Sequence, residues 1–238
     1  MLVQTLPVIS NAMDDVPTPQ TAETSGDNTR DDLERIFTLI GEHGVNVCPD
    51  LHFLVMLALT IEVRTEHWQG KTYDALKLAL LMNESAGQQV DNKQLLGATL
   101  AHDFAMAFLP LTVLDKQKKL SKKSLKVMRT HISSAAELIH RMQGWNESRE
   151  IIMAHHEHFD GQGYPNQLAD FEINPGAKLL AIVDAFVARS SNTMQAIMEI
   201  NRYSGTQFDP IWVDHFNIAI KNIRSNQQQL SENQPKTS

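Results

Sequence analysis

From Asp31 onward, apolar residues recur at helical spacing. In DDLERIFTLIGEHG, Leu33, Ile36, Phe37 and Ile40 share one side of a 3.6-residue turn, acidic residues fill the first turn and Gly41 stands near the end. The same period returns over 50–64, 67–85, 93–105, 121–142, 147–157, 175–200 and 210–225, and runs of period two are essentially absent. The pattern therefore predicts an all-α fold, a bundle of about eight helices. Residues 1–30 mix Pro, Thr, Ser, Asn and Asp with few apolar positions after Ile9, so they are expected to form a disordered lead. Residues 31–225 are expected to form the helical domain, and 226–238 a frayed polar tail. Residues 31–65 are too apolar for a linker and too few for a separate sensor, so they are read as helices integral to the fold.

Composition narrows the class. With 42% apolar residues in 238, the chain can bury a real core. Its longest apolar stretches, such as FLVMLAL at 53–59, fall well short of the roughly 20 residues that cross a bilayer. The N-terminus lacks the positive and apolar regions of a secretory signal, so a cytoplasmic location is expected. The single cysteine, Cys48, excludes an internal disulfide and any CxxC metal knuckle, leaving nitrogen and oxygen as metal donors. A net charge of −7 argues against a broad nucleic-acid surface, although a bound metal could still supply local positive charge for a small phosphate ligand.

Six polar residues stand out against their helical surroundings. His102 and Asp103 follow the core-forming run LLGATLA, and Asp184 interrupts KLLAIVDAF, where a charged carboxylate is costly unless paired or bound to metal. His131 stands alone; His155 and His156 are neighbours about 100° apart on a helix, so they cannot share one face but can reach two ions from one segment. The adjacent Asp103 could bridge two ions, because a carboxylate has two oxygens. Imidazole and carboxylate without thiolate suit iron, manganese or zinc.

These residues carry a resemblance to the HD-GYP phosphohydrolases, a branch of the HD superfamily, over roughly residues 60–200. The family motif HHExxDGxGYP reads HHEHFDGQGYP at 155–165, with every fixed position kept. The motif HDxGK with a following proline reads HDFAMAFLP, agreeing at His102, Asp103 and Pro110. A third element appears as VMRTHISSAAELI at His131, and a fourth as AKLLAIVDAFVAR at Asp184; the intervals from His102 to His131 and from His155 to Asp184 are both 29 residues. The resemblance implies two, sometimes three, metal ions and hydrolysis of cyclic di-GMP to pGpG or GMP. It implies ligation by His102, Asp103, His131, His155, His156 and Asp184, with Asp103 bridging. The family's earlier histidine is matched to His67, 35 residues before His102.

Further roles follow from that match. Glu157 is expected to orient a ligand histidine, joining Asp103 as a catalytic carboxylate. Gly161 and Gly163 let the loop approach substrate, Asp160 ties the loop through backbone N–H groups, and Tyr164 donates to phosphate or braces the loop. Lys178 and Arg189 are candidate phosphate contacts.

Departures from the family pattern matter too. Met106 replaces the lysine of HDxGK and Ala105 its glycine; loss of one charge-assisted contact costs about 1.5–3 kcal/mol. The family's third-metal glutamate falls near Val63, with Glu62 and Glu66 out of register, which favours two metals over three. After Asp184 the chain reads AFVARSSNTMQ rather than a second Asp and Arg-Pro-Tyr. The alternatives are a weakly active module that binds cyclic di-GMP or a protein partner such as a GGDEF-type cyclase, and a phosphohydrolase for another nucleotide. A homodimer is a further possibility that the sequence leaves open.

Overall fold

The computed structural model describes residues 23–62, 70–108, 121–189 and 192–232. Among these residues there are nine α-helices, two short 3-10 helices and no strand beyond an isolated bridge between Ser204 and Phe208. The α-helices are α1 (Glu23–Glu42), α2 (Pro49–Glu62), α3 (Lys71–Ser85), α4 (Asn92–Ala101), α5 (Lys122–His140), α6 (Asn146–Ala154), α7 (Pro175–Val187), α8 (Thr193–Arg202) and α9 (Pro210–Glu232). The 3-10 helices are Phe104–Phe108 and Asp170–Glu172. No helix among the described residues is long and apolar enough to cross a membrane.

The all-α expectation holds, with three local differences. The first helix begins at Glu23, ahead of the expected Asp31, and the last runs to Glu232 rather than ending near 225. Both extensions are polar, so apolar periodicity gave no sign of them. The single helix expected over 175–200 is two: α7 ends at Val187, and α8 restarts at Asn192, whose side chain caps it by accepting from Gln195 N–H at 3.1 Å. Periodicity ran through the break because both halves bury the same kind of residue.

The core is built around α3, which packs on α4, α7 and α9, while α6 is wedged against α4, α5 and α7. Leu76, Leu78, Leu95, Leu96, Ile151, Ile152, Leu179, Leu180 and Phe216 are removed from water there. Trp145, just before α6, lies fully buried over Gly97 of α4. A Cβ at Gly97 would stand 2.3 Å from the ring, so only glycine admits the indole. The indole N–H donates to Asp50 Oδ2 at 3.0 Å, tying α2 to this packing.

Two polar fixtures set the ends of α3. At its far end the buried Asn83 side chain donates to the Val90 carbonyl at 2.8 Å and accepts from Val90 N–H at 3.1 Å, closing the turn into α4. At its start Glu62, the last residue of α2, accepts from Gly70 N–H at 3.0 Å and from Thr72 N–H. These contacts aim the first turn of α3 at the ends of α4 and α7, where the candidate ligands gather.

Candidate metal centre

Helix ends position most of the site. Asp91 caps α4 through Gln94 N–H at 3.0 Å, and the helix runs out at Ala101, leaving His102 at its C-cap and Asp103 just beyond. His155 sits at the C-cap of α6, with His156 following. His131 and Asp184 project instead from within α5 and α7. Each placement puts a polar side chain where a packed helix face gives way to open space.

Three histidines share one orienting device. Nδ1 of His102 lies 2.8 Å from the Thr99 carbonyl, that of His131 2.6 Å from Met128, and that of His155 2.7 Å from Ile152, each three residues back. A carbonyl can only accept, so each Nδ1 carries a proton, and in the neutral ring the lone pair falls on Nε2. The Nε2 atoms of His131 and His155 are buried with no hydrogen-bond partner. A buried acceptor without a donor costs about 1–3 kcal/mol, and a ligated cation is the chemistry that removes that cost.

The donors form two groups, each with its ligand atoms within 4.8 Å of one another: His131, His155 and His156 in one, His102, Asp103 and Asp184 in the other. Asp103 reaches across both. Its Oδ2 lies 3.5 Å from His102 Nε2, and its Oδ1 lies 3.9 Å from His131 Nε2. The imidazole rings crowd together, the centroids of His155 and His156 standing 4.0 Å apart. Burial, reinforced by the neighbouring His156, His102 and His131, holds His155 well below the usual imidazole pKa. Burial with His131 and His102 beside it lowers His156 to about 3. Both rings are therefore neutral lone-pair donors at physiological pH, as metal ligands must be. The donor set fits divalent ions of the iron, manganese or zinc type.

Five of these donors, His102, Asp103, His131, His156 and Asp184, line a cavity of about 300 Å³ together with Glu62, Lys71, Thr72, Thr99, Met106, Met128, Tyr164 and Val183, and His155 is buried behind them. Tyr164 stacks on His156 with ring centroids 4.9 Å apart, and the Arg129 guanidinium lies 4.3 Å from the outer face of the phenol ring. Burial pushes the Tyr164 hydroxyl up to about 12, against the opposing pull of Arg129, so it keeps its proton.

The structure brings His102, Asp103, His131, His156, Asp184 and Tyr164 to one cavity, with His155 buried against His102, His131 and His156, and it separates the other expected residues that it describes from that cavity. His67 lies outside the described residues. Glu157 is turned away from the histidines: its carboxylate accepts from Asn166 N–H at 2.6 Å and Leu168 N–H at 3.1 Å, so it braces the loop after Pro165 and not a ligand. Lys178 is held by Asp209 at 2.7 Å and Asp170 at 3.2 Å, and is a structural ion pair. Arg189 pairs with Glu199 at 2.8 Å beside a separate small recess lined by Gln207 and Phe208. Gly161 and Gly163 do not line the cavity. Gly161 takes φ +78, and a Cβ on Gly163 would meet His158 N at 2.2 Å. Asp160 accepts from Gln162 N–H at 3.0 Å, the turn expected of it. Sequence reasoning missed Lys71, Thr72 and Arg129; only Arg129, two residues before His131, carried a local signal.

Comparison with known proteins gives the family. The HD domain family matches residues 56–211, well over half of the chain. A 3'3'-cGAMP-specific phosphodiesterase 2 of Vibrio cholerae serotype O1 is 28% identical over 66% of this chain and 32% of its own length. The cyclic di-GMP phosphodiesterase response regulator RpfG of Xanthomonas campestris pv. campestris is 29% identical over 68% of this chain and 46% of its own. The chain thus spans a third to a half of the length of these relatives. Bd1817, a HDG"Y"P protein from Bdellovibrio bacteriovorus, shares the fold with a TM-score of 0.55 at 15% identity, over 86% of this chain and 75% of that one. The chain belongs to the HD domain family.

Proposed function

We propose that this chain is a metal-dependent phosphodiesterase for 3',3'-cyclic dinucleotides, acting on cyclic di-GMP through a dinuclear site and releasing pGpG or GMP. The observation that carries the reading is the pair of buried, unpartnered Nε2 atoms on His131 and His155, set beside a carboxylate whose two oxygens face both donor groups. His131, His155 and His156 would hold one ion, His102 and Asp184 the other, and Asp103 would bridge them. When bound, such ions supply a nucleophile from water at neutral pH and offset charge on the phosphoryl oxygens.

The chain's own residues do the rest. The neutral imidazoles are ready to ligate without first losing a proton. The Tyr164 hydroxyl, still protonated at neutral pH, can donate to a phosphoryl oxygen at the cavity wall. Leu100, Met106, Met128, Val183 and Val187 form an apolar side that excludes water around the reacting group.

The relatives carry names of two substrate kinds, cyclic di-GMP and 3'3'-cGAMP, so both nucleotides belong in the test. Purified protein analysed for bound metal, then assayed on each nucleotide with iron or manganese restored, is expected to release linear products. An inert metal-loaded protein, with a His102→Ala variant that binds cyclic di-GMP equally well, would refute the reading. A second reading is a binding module with weak turnover, favoured by Met106 lining the cavity where the family has lysine. Tight binding of cyclic di-GMP with negligible hydrolysis would select it.

A further inference from the structure

A 3',3'-cyclic dinucleotide carries two phosphodiesters on one macrocycle, and the donor cluster can act on only one of them at a time. The cavity, at about 300 Å³, stands at the lower end of small-molecule sites, whereas this substrate holds two nucleosides. With one phosphodiester at the histidines, the second therefore rests at the rim. Three layers lead outward to that rim. One face of the Tyr164 ring stacks on His156, with centroids 4.9 Å apart and planes 24° apart, and the Arg129 guanidinium lies over the ring at 4.3 Å from its centre. Tyr164 lines the cavity, and Arg129 is exposed.

Backbone fixes both outer layers. The Tyr164 N–H donates to the His156 carbonyl at 3.1 Å, which holds the loop against the ligand segment. Arg129 stands two residues before the buried His131 on α5, about 200° around the helix, so the inward ligand and the outward cation come from one turn. Contact with a ring face occupies none of the five guanidinium N–H donors. Arg189 and Arg141 are paired with Glu199 and Glu137, whereas Arg129 forms no ion pair with a carboxylate among the described residues. The surroundings reinforce the charge. Seven of the chain's 21 lysines and arginines fall between 116 and 129, with no Asp or Glu among them, in a chain of net charge −7. On α5 the exposed Lys123, Lys126 and Arg129 recur every three residues.

We infer that Arg129 binds the second phosphodiester of a cyclic dinucleotide, the one not being cut. The inference rests on the proposed phosphodiesterase function and adds a substrate-binding residue to it. A guanidinium offers two parallel N–H donors to two phosphoryl oxygens, so it fixes the direction of the macrocycle as well as holding its charge. The basic side of α5 draws the dianion toward that grip, a long-range attraction that salt screens.

The test separates one phosphodiester from two. Arg129→Met keeps an apolar stem over Tyr164 and removes the charge, Arg129→Lys keeps a charge without the fork, and Lys126→Gln removes a neighbouring charge from the same helix. The probes are a hydrolysis-resistant phosphorothioate analogue of cyclic di-GMP for Kd by calorimetry, cyclic di-GMP for KM and kcat, bis(p-nitrophenyl) phosphate as a substrate with a single phosphodiester, and metal content per chain. Arg129→Met is expected to weaken analogue binding about five- to thirtyfold and to raise KM for cyclic di-GMP more than it lowers kcat, with metal content retained. Its loss on bis(p-nitrophenyl) phosphate should be several times smaller, Arg129→Lys should recover part of the affinity, and Lys126→Gln should stay within about twofold of wild type. Equal analogue affinity in Arg129→Met and wild type overturns the inference and leaves the proposed function standing. An equal proportional loss on both substrates, or a loss of metal, also overturns it, since Arg129 would then only brace Tyr164 and His156. So does a loss in Lys126→Gln as large as that in Arg129→Met, which would make the attraction diffuse. A wild type that neither binds the analogue nor hydrolyses either cyclic dinucleotide overturns the proposed function, and this inference with it.

Discussion

Gly163→Ala is expected to damage the site from outside it. The added Cβ would lie 2.2 Å from His158 N, 2.5 Å from Glu157 Cα and 2.6 Å from the Glu157 carbonyl carbon. All three are backbone atoms of the strand of chain that carries His155 and His156, so no side chain can swing aside. Relief to ordinary contact, 3.4 Å or more, requires the loop to move by about 1.2 Å. That displacement strains the Tyr164 N–H bond to the His156 carbonyl, now 3.1 Å, and the two bonds from Asn166 and Leu168 to Glu157. Overpacking of this kind costs about 1–3 kcal/mol. Denaturant unfolding of the metal-free protein reads the stability loss, and a competition titration against a chelator reads the metal affinity, which should fall as His156 shifts with the loop. Gly161→Ala is the control. There the Cβ meets Ala169 Cβ at 3.3 Å and the penalty is the left-handed backbone at φ +78, about 1–2 kcal/mol, with less displacement at His156. Equal stability and metal affinity for Gly163→Ala and wild type would show that the close approach does not shape the site.

Three further outcomes follow from the same geometry. Glu157→Gln should cost about 1–3 kcal/mol of stability, because an amide NH₂ would face a backbone N–H that now has an acceptor; protein saturated with metal should retain its ion content, and loss of ions would restore to Glu157 the expected role of orienting a ligand histidine. Lys178→Met should cost up to about 3–5 kcal/mol by leaving the buried Asp209 without its cation, held only by the backbone N–H groups of Ile211 and Trp212, with KM for cyclic di-GMP unchanged; a raised KM in the folded variant would mean that Lys178 reaches substrate after all. Stripping metal should lower the melting temperature, since an ion present at about a hundred times its Kd contributes about 2.7 kcal/mol; His155→Ala should remove the share contributed by the ion held with His131 and His156 and lower the metal content per chain, and an undiminished difference would place that ion elsewhere.

Much of this was readable before any coordinates. The helices of the core announce themselves because each must bury a stripe, and the six clustered donors announce themselves because polar residues sit among apolar ones or in an intact HHEHFDGQGYP motif. What stayed hidden depends on partners distant in sequence. Lys178 and Arg189 look like free cations until Asp209 and Glu199 are seen beside them. Glu157 sits between two metal-type histidines and a loop, and only the loop's backbone amides decide which it serves. Lys71 begins an unremarkable helix; nothing local says that its first turn faces the ends of α4 and α7. The break between α7 and α8 escaped because amphipathic spacing survives a change of axis.

The shared anchoring of His102, His131 and His155 has a consequence for how this centre tolerates change. A ligand histidine held by a carboxylate side chain can be unhinged by one substitution at that carboxylate. Here the three orienting acceptors are peptide carbonyls of Thr99, Met128 and Ile152, which persist whatever side chain occupies those positions. The tautomer is therefore written into the main chain and set as the helices form, ahead of any ion. Drift at residues 99 and 128, which line the cavity, can remodel its wall for a different nucleotide while the lone pairs stay aimed at the same point.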